Sequence, residues 1–471
     1  MALALFSSGC ALQAPPQGQL LRDQALPTLN VPAAWTAGGA AAEAVAPGWL
    51  FSFADVRLET LVIEALAHNA DLRLAAARVE QAAAQVRLAG GQIYPAVDAL
   101  ARAGGKLSGD NSGLEGWLVS ASWELDLWGR VRYQARASEN QYAAMQGDFA
   151  YARQSLVALV VKSWFLASEA RLQRDLAAEM TASAERTLAL ADSRRKVGAG
   201  SDLEVLQASA NLQSFRDSAR QLELGYQQAL RALELLLGRY PAADIEVAAQ
   251  LVSVPPPAPS GLPSALLERR PDVRAAERRI AAAFDLAQEA QAARLPRLAL
   301  TAGASRISSE LFVLQDRPNP VWSIGANLTA PLFHGGALKA QVQVRTAEQK
   351  AAVAAYAQVA LQVFNEVENA LASEFALRER VPILEQAVQD NQKALDLEEV
   401  RYRVGSSDLR AVTQQQLALY AARTTLLRVR SEQLVQRVNL HLALGGDFSR
   451  QDAPLGSAGT DHNASAAAAR H

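Results

Sequence analysis

The feature that most constrains this chain is a hydrophobic seam that runs almost unbroken from Gly336 to about Val404. From Gln349 onward the apolar residues Val353, Tyr356, Ala360, Val363, Val367, Ala370, Leu377, Val381, Leu384, Val388 and Leu395 step by threes and fours, with Glu374 and Asn391 filling two slots. A mean spacing near 3.5 is the contact seam of a helix packed lengthwise against neighbours. Some seventy residues at a rise of about 1.5 Å give a rod of roughly 100 Å, longer than a globular domain needs. Pro382 lies inside the seam. Because the seam resumes at Leu384, the ring predicts a bend there and not a helix end.

The same organisation occurs twice. A helix expected from Asp55 to Leu88 ends at Gly90-Gly91, and two period-two segments follow, near residues 96–106 and 117–126. In the second, Trp117, Val119, Ala121, Trp123 and Leu125 alternate with Ser120, Ser122, Glu124 and Asp126, the pattern of a strand with one greasy and one wet face. A long helix over 130–197 ends at Val197-Gly198, and Ser201 with Glu204 forms a capping box for the next helix, which closes at Gly238. After a proline-rich linker at 241–262, a helix is expected from Pro263 to Arg294. Strands near 297–307 and 321–330 (Trp322, Ile324, Ala326, Leu328) and a long helix over 337–404 follow. The Val404-Gly405 and Asp408-Leu409 pairs answer Val197-Gly198 and Asp202-Leu203. One unit of helix, two strands, long helix and helix, at 55–240, is written again at 263–447. The fold class is mainly α with a small β part.

Four strands with an apolar face cannot close a membrane barrel alone, because such barrels begin at about eight strands and an open edge in lipid leaves backbone groups unpaired. Two copies would supply eight strands and three would supply twelve. No stretch is long and apolar enough for a membrane helix; the best, Leu156 to Ala167, contains Lys162. A formal net charge of -2 from 46 basic and 48 acidic residues gives no field to recruit nucleic acid. The single cysteine and five scattered histidines offer no metal-ligand spacing, and no phosphate loop or nucleophile elbow is present. The expectation is therefore a protein without cofactor, metal or catalytic residues. A soluble coiled-coil adaptor or scaffold is the rival, and it leaves the tryptophan-bearing ribbons unexplained.

The first ten residues read as the remnant of a secretory signal, with Ser7-Ser8-Gly9 before Cys10. These small residues resemble a bacterial lipoprotein signal in which Cys10 would carry the lipid, palmitate included. Ala11 after it would sort the protein to the outer membrane. Residues 11–54 form an extended proline-containing arm, and 448–471 a disordered tail.

Several runs resemble the TolC-like outer membrane efflux proteins, NodT-type lipoproteins of resistance-nodulation-division systems in particular. They are Leu266 to Ala283 (LLERRPDVRAAERRIAAA), Trp322 to Gly336 (WSIGANLTAPLFHGG) and Phe364-Asn365-Glu366-Val367-Glu368. The resemblance implies a homotrimer whose barrel continues into a periplasmic helical barrel. It also implies an exit duct for toxic compounds that meets a periplasmic membrane-fusion adaptor and an inner membrane pump. The outer membrane lipid would meet Trp117, Val119, Trp123, Trp322, Ile324 and Leu328. The adaptor would dock on tips made by Val197, Gly198, Leu203, Val404, Gly405 and Leu409. A periplasmic gate is expected from Arg194, Arg195, Asp202, Glu204, Arg401, Tyr402, Arg403, Asp408 and Arg410, which trimer symmetry would bring into rings. Ala411 and Gln414 stand where some relatives carry pore-lining aspartates.

Overall fold

The structure, a computed structural model, describes residues 12–37, 47–102, 115–308 and 321–448. The expected lipid site at Cys10 and the expected disordered tail lie outside them, Phe448 excepted. In chain order the elements are helices α1 (Gln19–Ala25), α2 (Val56–His68) and α3 (Ala70–Gly91), then strands β1 (Ala96–Arg102) and β2 (Glu115–Leu125). Helices α4 (Arg130–Lys196), α5 (Asp202–Leu237), α6 (Pro263–Arg269) and α7 (Pro271–Ala292) follow. Strands β3 (Arg297–Ser308) and β4 (Val321–Thr329) and helices α8 (Ala337–Arg403) and α9 (Leu409–Ala443) complete the chain.

The chain divides into two compact units. One holds residues 1–30, 73–151 and 270–362; the other holds 31–72, 152–269 and 363–471. The long helices α4 and α8 have 67 residues each and contribute to both units. Helix α8 continues through Pro382, so the proline is not a terminus, as the unbroken seam requires.

Two helices expected to be continuous are each split in two. The first breaks at Asn69, which is extended (φ −61°, ψ 128°). Its amide is committed on both sides, accepting from Leu72 N at 3.0 Å and donating to Leu236 O at 3.0 Å. The second breaks at Arg270, also extended, because the ring of Pro271 excludes the helical region from the residue before it. Pro271 then takes the first position of α7, where its missing N–H costs nothing. Arg270 is buried and grips Asp272 with two bonds of 3.0 and 2.7 Å, while its guanidinium lies over the Tyr151 ring.

In the unit that carries the sheet, α7 buries Val273, Ile280, Phe284 and a run of alanines. A Cβ on Gly147 of α4 would lie 2.9 Å from both Pro271 O and Ala275 Cβ, so the two helices approach backbone to backbone. In the other unit the core gathers Leu58, Leu61, Val62 and Ala65 of α2 with Trp164 and Phe165 of α4. The Asp55 side chain caps α2 through Arg57 N and Leu58 N and also accepts from Trp164 Nε1 at 2.9 Å.

Trp49 stacks on His441 in that core, 5.4 Å between centroids. Burial, with Arg437 one turn away adding to it, pushes the His441 imidazole down to about 3. A depressed folded value means the stability it confers is fully present above about 6.5 and is lost as pH falls toward 3. The protein should therefore lose up to about 1.4 kcal/mol per pH unit below that point on account of this group. His441→Phe keeps the stack and removes the titration, so its melting curves at pH 6.5 and 5.5 should lie closer together than the parent's. Equal spacing would contradict this assignment.

Candidate functional site: the apolar sheet and the helix turns

The four strands form one antiparallel sheet in the order β1-β2-β3-β4, so the two ribbons join through β2 and β3. Directly opposed residues in such a sheet share a face. The register sets Val97 against Ala121, Ala121 against Ala302 and Ala302 against Ile324. Neighbouring rows on that face run Ala99, Val119, Ala304, Trp322, then Trp123, Leu300, Ala326, then Leu125, Leu298, Leu328. Asp98, Ser120, Gly303 and Ser323 form a row on the other face, as do Ser122, Thr301 and Gly325. The greasy rows expected of separate strands thus merge into one surface. The paired Leu100 and Leu118 are apolar residues on the wetter face.

The chain itself leaves much of this surface open. Ile324 is 94% exposed and Trp322 76%, and Trp117, Val119, Trp123 and Leu328 are exposed as well. Strands β1 and β4 each pair on one side only among the described residues. At the foot of the sheet Asp126 accepts from Val131 N and Arg132 N and starts α4, while Glu124 binds Arg130 at 2.8 Å. No described helix is long and apolar enough to cross a membrane.

The two helix turns repeat each other. After α4, Gly198 (φ +73°) donates to Arg195 O and Ala199 donates to Arg194 O; after α8, Gly405 (φ +81°) donates to Tyr402 O and Ser406 to Arg401 O. Only glycine takes this left-handed conformation without strain, and it satisfies the last carbonyls of each helix. Ser201 and Glu204 form the expected capping box, and Asp408 caps α9 through Ala411 N at 2.9 Å. Glu204 and Asp408 are thus already engaged by their own chain.

The structure brings some of the named charges together and leaves others apart. Arg195 binds Asp202 at 3.2 Å and Asp192 at 2.9 Å, and Lys196 binds Asp192 at 2.6 Å. Hydrogen bonds from Lys196 and Arg195 hold the Asp192 carboxyl below its ordinary value, a partner the sequence pattern did not single out. Arg194 donates to Tyr402 O and to Ala199 O, and its guanidinium lies 4.5 Å from the Tyr402 ring centre. Arg401 binds Glu398 at 2.6 Å. Arg403 and Arg410 are exposed and have no ion-pair partner among the described residues.

Tyr402 is fully buried in its own chain, among Ala191, Ala208, Leu395, Leu409 and Val412. Burial pushes its phenol up, and its hydroxyl has no partner among the described residues. Leu409, expected at a docking tip, belongs to the same cluster at 1% exposure, whereas its counterpart Leu203 is 63% exposed. Leu409 therefore does not present its side chain at the turn as expected, since α9 turns its first side chain inward onto Tyr402. Val197 and Val404 are both strongly exposed.

Three anchors depend on partners that the sequence pattern does not reveal. Glu368 accepts from Thr36 N at 2.9 Å and Ala37 N at 2.8 Å, and Phe364 meets Trp35, so the Phe-Asn-Glu-Val-Glu motif clamps the N-terminal arm. Asp285, wholly buried, meets Arg136 at 3.0 Å and Asn140 at 3.1 Å; burial pushes its carboxyl up to about 6 against the pull of Arg136. Glu374, visible only as a polar slot in the seam, pairs with Arg437 of α9.

The chain matches the model of the family described as "Outer membrane efflux protein" over residues 61–239 and 262–446. It is 30% identical over 410 residues to the cation efflux system protein CusC of Escherichia coli O6:H1, covering 86% of this chain and 89% of that one. It is 32% identical to the pyoverdine export outer membrane protein OpmQ of Pseudomonas aeruginosa, covering 85% and 87%. Among solved structures, the open-state MtrE outer membrane channel of Neisseria gonorrhoeae superposes with a TM-score of 0.78 at 28% identity, over 93% of this chain and all of that one.

Proposed function

The chain belongs to the outer membrane efflux protein family, and from that membership we propose that three copies close into a twelve-stranded barrel serving as the exit duct of a tripartite efflux system. As a member it is an efflux channel of the bacterial outer membrane. The sheet supports this reading, with four described strands, one continuous apolar face and two edges unpaired among the described residues. Pairing β4 of one copy with β1 of the next satisfies both edges and turns the apolar rows to lipid. Trp117, Val119, Trp123, Trp322, Ile324 and Leu328 then meet the membrane. The lipidated Cys10 adds an anchor, and the polar rows line a watery passage.

The turns at 197–201 and 404–407 form the periplasmic mouth, with 67 helical residues between each turn and its strands. The exposed Val197, Gly198, Leu203, Val404 and Gly405 receive the helical hairpins of a membrane-fusion adaptor, which links the duct to an inner membrane pump. In the gate, Arg403 and Arg410 are the cations left to meet a neighbouring copy, while Arg194 and Tyr402 brace the tip from within. Exposed pairs contribute only about 0–1 kcal/mol each, so single changes leak slightly and combined ones strongly. An Arg403→Ser, Arg410→Ser variant in planar bilayers should conduct several times better than the parent protein. Conductance equal to the parent's would place the gate elsewhere.

A further inference from the structure

A cavity of about 580 Å³ opens at the foot of the sheet, walled by Leu12, Trp128, Arg132, Arg294, Leu295 and Val342. Trp128 lies three residues beyond the end of β2, and Leu295 two residues before the start of β3. The cavity is therefore level with the helical end of the apolar rows. Around that level Leu127, Leu295, Leu332 and Phe333 are exposed, and the half-exposed Trp128 indole is held by its N–H on Pro296 O at 2.7 Å. Aromatic and apolar residues in such a collar mark the boundary between hydrocarbon and head groups. The arm closes one side: Gln13 N donates to Tyr133 OH at 2.8 Å, which fixes Leu12 as part of the wall.

The charges in and beside this cavity do not cancel. Arg132 is neutralised by Asp126 at 3.1 Å, and the nearby Glu289 faces Arg130 at 3.7 Å. Arg294 is exposed with no ion-pair partner among the described residues. Lys339, also exposed and unpaired, precedes Val342 by three residues on α8 and so shares its helical face. Gln288 and Gln291 add amide donors to the wall. Two free cations, amide donors and an indole beside an apolar surface are the chemistry of a phosphodiester whose acyl chains lie in the bilayer.

We propose that this cavity binds the head group of an anionic phospholipid of the periplasmic leaflet. The assignment rests on the membrane reading of the sheet. The test places the intact channel in nanodiscs of equal phosphatidylglycerol and phosphatidylcholine, then counts by native mass spectrometry the lipids retained when the disc is stripped. The parent should retain phosphatidylglycerol preferentially. An Arg294→Ser, Lys339→Ser variant should lose that preference, by roughly fivefold per cation removed, and an Arg294→Lys, Lys339→Arg variant should keep it. Entry into discs with equal retention of both lipids by the parent, or an unchanged preference in the serine variant, overturns the site and leaves the membrane reading intact. Failure of the parent to enter discs at all overturns both.

Discussion

An arginine at Ala326 is expected to remove most of the assembled channel from the outer membrane. Ala326 sits in the row with Trp123 and Leu300, on the face that the chain leaves uncovered. A guanidinium at that position would face hydrocarbon at a cost of about 2–4 kcal/mol near the bilayer midplane. In a closed ring of copies the penalty enters once per copy. The next residue along the strand, Asn327, is opposed to Ala299 on the wetter face, so Asn327→Arg should assemble normally. Fractionated outer membranes, probed for the oligomer, decide the point. Normal assembly of Ala326→Arg, or equal failure of both variants, would mean that the apolar rows do not face lipid.

Arg437→Met should be the most damaging change away from the sheet. Arg437 is almost wholly buried in α9 and donates to both oxygens of Glu374 in α8, at 2.5 and 3.2 Å. It also donates to Pro255 O at 2.9 Å and to Pro256 O, so one guanidinium ties two helices and the linker together. Such a pair need not add much net stability when intact, because both ions lose their water. Removing one partner is different: it strands a carboxylate and two carbonyls in the interior, at about 3–5 kcal/mol. The Arg437→Met, Glu374→Leu double variant no longer holds an unpaired charge and should recover part of that loss. Thermal unfolding in detergent gives the comparison. A single variant as stable as the parent, or a double variant worse than the single, would contradict this account.

What could be read from the sequence was what repeats locally. Alternation placed Trp117, Val119 and Trp123 on one face, because a strand exposes its periodicity directly, and the sheet register joined them to Trp322, Ile324 and Leu328. The turn glycines were legible for the same reason, since Gly198 and Gly405 do a job only glycine does well. The break at Arg270 had a local signal in Pro271 that a reading by hydrophobic period passes over. The break at Asn69 had a local signal as well, since its side chain caps α3 through Leu72 N, but its second partner, Leu236 O, lies 167 residues along the chain. Repeat symmetry itself misled at Leu409. It matches Leu203 in position, but only its own turn has a Tyr402 to pack against. The Arg437 anchor was hidden likewise: Glu374 showed as a polar slot, and nothing on α9 named the partner.

The four described strands of one chain can close a barrel only by sharing edges among copies. Native mass spectrometry of the protein extracted from outer membranes in mild detergent counts those copies. A single dominant species of three chains, giving twelve strands, is the expected result. A dominant monomer with its β-structure intact, or a stable assembly of any other number of copies, would contradict it.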